Sequence, residues 1–125
     1  MIVGVGIDIV EIARISRARG RWAGRFLRRL FTHRELDYCL ASANRDHRLA
    51  ARFAAKEAAF KALGTGLAAG CRWHDVEVVP DERGAPALEL SGAAADIASR
   101  RGVRRSFVSL THAAAYAAAV VVLES

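Results

Sequence analysis

The sequence predicts an α+β fold in a single domain, residues 1–125, in which a mostly antiparallel sheet packs against helices. Helical and extended patterns come in blocks along the chain rather than in strict alternation, which is typical of this class. The segment 116–123, YAAAVVVL, is apolar on both faces, as a strand covered on both sides would be. We therefore expect helices on one side of the sheet and a second subunit on the other, unless the small alanine faces need little covering.

The first half of the chain predicts one strand and four helices. Residues 2–10 alternate, with branched side chains at positions 3, 5, 7 and 9 on one side and two glycines and Asp8 on the other. Residues 12–19 and 22–31 predict two helices separated by Gly20. Thr32 and Glu35 have the spacing of a capping box, which predicts a third helix through residue 40. The longest helical pattern spans residues 46–63, and Gly64 stands where a C-cap glycine is expected.

The second half predicts four strands and one helix. Residues 73–79 and 87–90 are extended patterns joined by the turn sequence PDERG. Ser91 is placed to cap a helix that runs to about residue 101. Residues 106–111 and 116–123 are the last two strands, and they meet near His112.

Positive charge is concentrated in the first half of a chain whose net charge is +6. Five arginines recur every three or four residues and would share one helix face, here called the basic ridge: Arg14, Arg17, Arg21, Arg25 and Arg28. Such a ridge attracts an acidic partner, although a solvated helix face would have the same pattern. No nucleic-acid motif is visible and aromatic residues are only 7%, but a basic nucleic-acid-binding module without catalysis stays an alternative.

Membrane and secretory features are absent from the sequence patterns. The longest apolar stretch, 113–123, is shorter than the roughly 20 residues of a membrane span, and residues 1–11 have no basic leader. Cys39 and Cys71 stand far apart without a C-x-x-C pair, which fits a reducing cytosol. We therefore expect a cytoplasmic protein with no membrane partner.

The long helix 46–63 carries the first candidate site residues. Phe53 and Phe60 belong to its core-facing stripe, Glu57 lies at the margin of that stripe, and Lys61 follows one turn later. A Glu followed four residues later by Lys is also an ordinary surface pair, worth about 0.2–0.5 kcal/mol. Lys56 falls close to the apolar stripe, where a lysine usually snorkels outward.

Asp8 and the strand end at residues 109–112 are the other candidates. Asp8 lies on the glycine side of its strand, where missing side chains leave room for a ligand, although an aspartate there also caps helices. Ser109, Thr111 and His112 supply three hydrogen-bonding side chains that suit the edge of a phosphate site. Carboxylates without thiol or imidazole neighbours prefer a hard cation such as Mg²⁺.

Six motifs, in order over nearly the whole chain, resemble those of the small, single-repeat class of 4′-phosphopantetheinyl transferases, the holo-[acyl-carrier-protein] synthases. The motifs are GIDIVEI at 6–12, FTxxEL at 31–36, RFAAKEAxxKAxGTG at 52–66, DVEV at 75–78, GxP at 84–86 and SLTH at 109–112. The block at 52–66 is the most specific of them.

The resemblance implies an α+β fold assembled as a homotrimer, with coenzyme A bound at each subunit interface. It implies transfer of 4′-phosphopantetheine from coenzyme A to a serine of an acyl carrier protein, with adenosine 3′,5′-bisphosphate as the other product. Asp8 and Glu57 would hold Mg²⁺ and, with Lys61, carry the catalysis. Either a metal-bound water or Glu57 would take the serine proton.

The same resemblance assigns the remaining site residues. The coenzyme would be contacted by Lys61, Gly64, Thr65, Gly66, Pro86, Ser109, Thr111 and His112. The acidic carrier protein would dock on Arg14, Arg21, Arg25 and Phe26.

Overall fold

A computed structural model describes the backbone of residues 1–125 and the side chains of all of them except 21–23 and 68. It contains five strands, four α-helices and two short 3₁₀ turns, Leu67–Ala69 and Trp73–Asp75. The helices and strands are β1 Ile2–Glu11, α1 Ile12–Leu30, α2 His33–Leu40, α3 Arg45–Leu63, β2 Val76–Pro80, β3 Pro86–Leu90, α4 Gly92–Arg100, β4 Arg105–His112 and β5 Tyr116–Glu124. The predicted α+β class is confirmed.

The strands form two antiparallel sheets, one of order β1-β5-β4 and one of β2 with β3. α3 packs across one face of the three-stranded sheet. Alternate residues of β5 point at this helix and are buried, namely Ala117, Ala119, Val121 and Leu123. The opposite face of the same sheet is left open in the single chain.

Two glycines of β1 allow its backbone to lie directly on α3. A Cβ at Gly6 would stand 1.8 Å from the carbonyl oxygen of Ala58, and one at Gly4 would stand 2.0 Å from that of Ala62. The sequence predicts room for a ligand on this side of the strand, and beside these two glycines that room does not exist. The space belongs to the backbone of α3, so the glycines set the distance between strand and helix.

Other boundaries also differ from the sequence prediction. α1 is one helix that continues through Gly20, because buried Ile15, Leu27 and their neighbours anchor it on both sides of the glycine. Their packing exceeds the roughly 1 kcal/mol that an interior glycine costs. Residues 73–75 form a 3₁₀ turn and β2 starts only at Val76. Ser91 is the N-cap of α4 but makes no side-chain capping bond.

The predicted helix ends at Thr32 and Gly64 are confirmed. Thr32 Oγ1 accepts from the Glu35 N–H at 3.3 Å, and the Thr32 N–H donates to Glu35 Oε1 at 2.8 Å. Gly64 has φ = 73°, the left-handed conformation that favours glycine at a helix C-terminus. No helix of the described chain is long and apolar enough to cross a membrane.

Glu35 has a second role that the sequence did not predict, because it forms a buried ion pair with Lys56. Lys56 Nζ donates to Glu35 Oε1 at 2.7 Å and to the Val76 carbonyl at 2.5 Å, and the Val78 N–H donates to Glu35 Oε2 at 2.8 Å. Both charged side chains are 0% exposed, so Lys56 does not snorkel. Burial lowers the pKa of Lys56, and the Glu35 carboxylate opposes that shift. The pair ties α2, α3 and β2 together.

Lys56→Met tests the energetic weight of this ion pair. The substitution leaves a buried carboxylate without its cation, so we expect a loss of about 3–5 kcal/mol in the free energy of unfolding, measured by urea denaturation. Lys61→Met makes the same change on the same helix, where the lysine side chain is 55% exposed, and should cost clearly less than Lys56→Met. Equal losses in the two variants would contradict the assignment.

Candidate active site

Asp8 lies on the helix-facing side of β1, opposite buried Ala119 of β5. Its side chain is 12% exposed, and Oδ1 accepts a hydrogen bond from Lys61 Nζ at 3.0 Å. Oδ2 is buried and has no hydrogen-bond partner among the described residues. The N-cap of α1 is Glu11, so Asp8 does not cap that helix. One oxygen of this carboxylate is therefore desolvated without a compensating donor, an arrangement that a bound cation would relieve.

Glu57 and Lys61 reach this carboxylate from α3. Lys61 Nζ also donates to the Ile7 carbonyl at 3.0 Å, so the lysine binds strand β1 at two adjacent residues. Among the described residues, no ion pair joins Glu57 to Lys61, and the ordinary surface pair that the spacing allowed does not form. The lysine side chain remains 55% exposed, which leaves its ammonium group accessible to a substrate.

The carboxylates of Glu57 and Asp8 repel each other. Burial raises the pKa of Glu57 above its ordinary value, and the negative charge of Asp8 raises that pKa further. The positive charges of Lys61 and Arg14 act in the opposite direction but do not cancel the shift. Two carboxylates close together gain most from a cation placed between them.

The donor set fits a hard divalent cation. Asp8 and Glu57 supply only oxygen, and Asp8 has a buried oxygen without a partner. The described part of the chain holds no cluster of three or more His, Cys, Asp or Glu that would make a complete metal cage. Mg²⁺ in proteins is commonly held by one or two carboxylates, with waters and substrate phosphates as the other ligands. The pair suits that mode of binding.

Residues 64–66 follow Lys61 at the C-terminal end of α3. The Gly64 N–H donates to the Lys61 carbonyl at 3.0 Å, and the Thr65 N–H donates to the Phe60 carbonyl at 3.2 Å. Thr65 and Gly66 are half-buried. The structure therefore brings this loop and Lys61 to the same end of the helix.

The remaining coenzyme candidates are not brought to this cluster within one chain. Ser109 and Thr111 pair with Val120 and Ala118, which places both side chains on the open face of the sheet, away from α3. His112 lies on the helix side, where its ring centroid is 5.2 Å from that of His47 near the start of α3. Pro86 begins β3 in the two-stranded sheet.

The basic ridge is exposed along α1 where its side chains are described. Arg14, Arg17, Arg25 and Arg28 are exposed, whereas the side chain of Arg21 lies outside the described residues. Phe26 is half-buried and lines a groove of about 270 Å³, between α1 and α3, together with Phe53. Arg14 and Arg17 of the ridge line the same groove, and the positive charge of Arg14 opposes the rise in the pKa of Glu57.

Arg52 is a buried cation that the sequence reasoning missed. Its guanidinium stacks on the Tyr38 ring at 4.5 Å from the ring centroid, and Arg48 stacks on the same ring at 4.6 Å. Arg52 is 7% exposed, and its Nε has no hydrogen-bond partner among the described residues. Its place as the first residue of the motif at 52–66 is the feature of the sequence that could have singled out Arg52.

Comparison with known proteins identifies the family. The model of the 4′-phosphopantetheinyl transferase superfamily matches residues 4–121. Holo-[acyl-carrier-protein] synthase of Koribacter versatilis is 49% identical over 124 residues, which is 99% of each chain. The crystal structure of holo-[acyl-carrier-protein] synthase from Neisseria meningitidis has a TM-score of 0.90 at 32% identity and covers 100% of both chains. The Helicobacter pylori synthase in complex with coenzyme A has a TM-score of 0.84 at 32% identity, over 96% of this chain and 99% of that chain.

The chain belongs to the 4′-phosphopantetheinyl transferase superfamily, and within it to the holo-[acyl-carrier-protein] synthases. The resemblance seen in the six sequence motifs is thereby confirmed, as is the expectation of an enzyme. The membership favours the transferase over a basic module without catalysis.

Glu57→Gln tests the carboxylate pair through protein stability. Because folding raises the pKa of Glu57, ionisation of Glu57 lowers the free energy of unfolding of the wild type as pH rises from the unfolded-state pKa to the folded-state pKa. The variant has no such loss, so at neutral pH without divalent cations we expect its thermal midpoint to exceed that of the wild type. At acidic pH, where Glu57 is protonated in both states, the difference should vanish.

Millimolar Mg²⁺ provides the second arm of the same measurement. It should raise the thermal midpoint of the wild type but not that of Glu57→Gln, since a ligand stabilises only a state that binds it. Glu82→Gln removes an exposed carboxylate in the turn before β3 and serves as the control. An equal rise in all three proteins would contradict a cation site at Glu57.

Proposed function

We propose that this chain transfers the 4′-phosphopantetheine group of coenzyme A to a serine of an apo acyl carrier protein. The observation that carries the proposal is the pair of carboxylates, Asp8 and Glu57, held beside Lys61 where β1 meets α3. The family supports it, since the relatives are holo-[acyl-carrier-protein] synthases and one of them is in complex with coenzyme A.

The reaction exchanges one phosphorus–oxygen bond for another. The serine oxygen forms a bond to the phosphorus that carries pantetheine, and the bond from that phosphorus to the bridging pyrophosphate oxygen breaks. The bridging oxygen leaves with adenosine 3′,5′-bisphosphate. Such a reaction depends on positioning and on stabilisation of developing charge rather than on a covalent intermediate. Lys61, whose ammonium group is accessible, stabilises the charge on the leaving phosphate.

Asp8 and Glu57 would hold Mg²⁺ against the pyrophosphate. When bound, the cation neutralises phosphate charge that would otherwise be repelled by the two carboxylates. The proton of the attacking serine would pass either to a water bound to the cation or to Glu57, which lies beside Asp8 in the same cluster. Arg14, on the neighbouring helix, adds positive charge to the same region.

The basic ridge is the proposed docking surface for the carrier. Arg14 and Arg25 are exposed on it and would attract an acidic protein, and Arg21 belongs to the proposal by its place in the sequence. Phe26, in the groove beside the ridge, offers an apolar contact that charge alone would not provide. The two buried free cysteines, Cys39 and Cys71, fit a cytoplasmic location for the reaction.

A transfer assay tests the function. The protein is mixed with apo carrier, coenzyme A and Mg²⁺, and mass spectrometry should detect a carrier that has gained one phosphopantetheine group. Omission of Mg²⁺ should suppress the product, and Glu57→Gln should lower kcat by roughly 100-fold or more. The rate at limiting carrier should fall as salt rises, because salt screens the ridge. Absence of the adduct with the wild type would overturn the proposal.

The open face of the three-stranded sheet supports the proposed homotrimer. Val5, Ile7 and Ile9 are 56%, 67% and 66% exposed there, and Phe107 is 51% exposed. A contiguous apolar surface of this kind marks a protein interface. Ser109 and Thr111 lie on the same face, so a second copy seated on it would meet these two residues. Each coenzyme site would then take residues from two subunits.

Ile7→Asp tests the assembly. A charge at the centre of the open face should turn the trimer into a monomer in analytical ultracentrifugation and abolish transfer, because each site would lose the contribution of its neighbour. Leu40→Asp introduces the same charge on α2, at a position that is 37% exposed, and should leave both properties intact. A fully active monomer would contradict the shared site.

A further inference from the structure

The C-terminus of α3 has backbone carbonyls that need partners from outside the helix. The last four carbonyls of any α-helix lack intrahelical donors. In α3, those of Phe60 and Lys61 are satisfied by the N–H groups of Thr65 and Gly64. The last two carbonyls, of Ala62 and Leu63, remain, and within the described part of the following turn no backbone N–H donates to them.

Arg101 satisfies these two carbonyls from outside the helix. Its Nη1 donates to the Ala62 carbonyl at 3.1 Å and also to the Leu63 carbonyl. Its Nη2 donates to the Val3 carbonyl of β1 at 3.1 Å. Gly64 leaves space for the guanidinium, since a Cβ there would stand 3.3 Å from Arg101 Nη1. One side chain thus closes the helix end and fastens it to the strand.

The electrostatic consequence concerns the loop 64–66. The C-terminus of a helix carries a partial negative charge of about half an electron, which repels anions. Under the proposed function, the phosphates of coenzyme A approach Lys61 and this loop, so they approach the unfavourable end of the dipole. A guanidinium bound to the last two carbonyls places a full positive charge at that end.

We propose that Arg101 is a positioning residue for coenzyme A, because its guanidinium cancels the negative end of α3 next to the loop 64–66. This inference rests on the proposed function. Arg101 lies outside the six motifs, directly after the end of α4. It is far from α3 in the sequence and meets the end of that helix only in the folded chain.

Two substitutions separate charge from hydrogen bonding. Arg101→Gln keeps donors but removes the charge, and Arg101→Lys keeps the charge but cannot span three carbonyls. Arg100→Gln removes the same charge one residue earlier, at an exposed position at the end of α4, and is the matched control. For each protein, kcat, the KM for coenzyme A, the KM for apo carrier and the thermal midpoint are measured.

We expect the substitutions to change the KM for coenzyme A but not the KM for the carrier. Arg101→Gln should raise the KM for coenzyme A about two- to fivefold, the size of a charge effect at a helix end, and leave the KM for the carrier and kcat nearly unchanged. Arg101→Lys should stay within about twofold of the wild type in the KM for coenzyme A, even where its thermal midpoint falls. Direct calorimetric binding of adenosine 3′,5′-bisphosphate should follow the same order.

Three outcomes would overturn the inference. One is a KM for coenzyme A in Arg101→Gln equal to that of Arg100→Gln. The second is an equal rise for both substrates, which a purely structural role would cause. The third is a rise of fivefold or more in the KM of Arg101→Lys for coenzyme A. If Arg101→Gln does not fold, the result for Arg101→Lys alone decides whether the inference holds. Failure of the proposed function is distinct, because the wild type itself would then make no adduct.

Discussion

The close contact between β1 and α3 is the constraint on which the rest of the structure depends. Gly4 and Gly6 let the strand backbone lie on the carbonyls of the helix, at distances that no side chain would permit. Asp8 continues the same face of the strand, and Glu57 comes from the facing helix. A larger residue at either glycine would separate strand from helix, and the carboxylates would separate with them. The chemistry of the site is thus set by backbone packing.

The rotation of α3 about its own axis is fixed by a different interaction. Lys56 is anchored inside the protein by Glu35 and by the Val76 carbonyl. Successive residues of an α-helix are about 100° apart, so an anchored Lys56 determines the direction of the next side chain, Glu57. The buried ion pair links α2, α3 and β2, and it thereby orients Glu57 toward β1.

The sequence predicted the elements whose signals are local and missed those that depend on distant packing. The capping box at Thr32 and the C-cap at Gly64 are local signals, and both are confirmed. The break at Gly20 was wrong, because burial of distant apolar residues outweighs the propensity of one glycine. The inward direction of Lys56 needed knowledge of Glu35, 21 positions away. Periodicity placed Glu57 at the margin of the core, but only the resemblance to a family paired it with Asp8.

In the described structure β1 pairs with β5 on one side only, and its other edge offers unpaired backbone groups to any extended chain that approaches it. Lys61 donates to the Ile7 carbonyl on this strand, and Arg101 donates to the Val3 carbonyl. Two long cationic side chains therefore occupy hydrogen-bonding positions that a foreign strand would use. The lysine that is proposed to contact phosphate therefore also shields part of this edge, and its removal would expose the Ile7 carbonyl to a pairing strand.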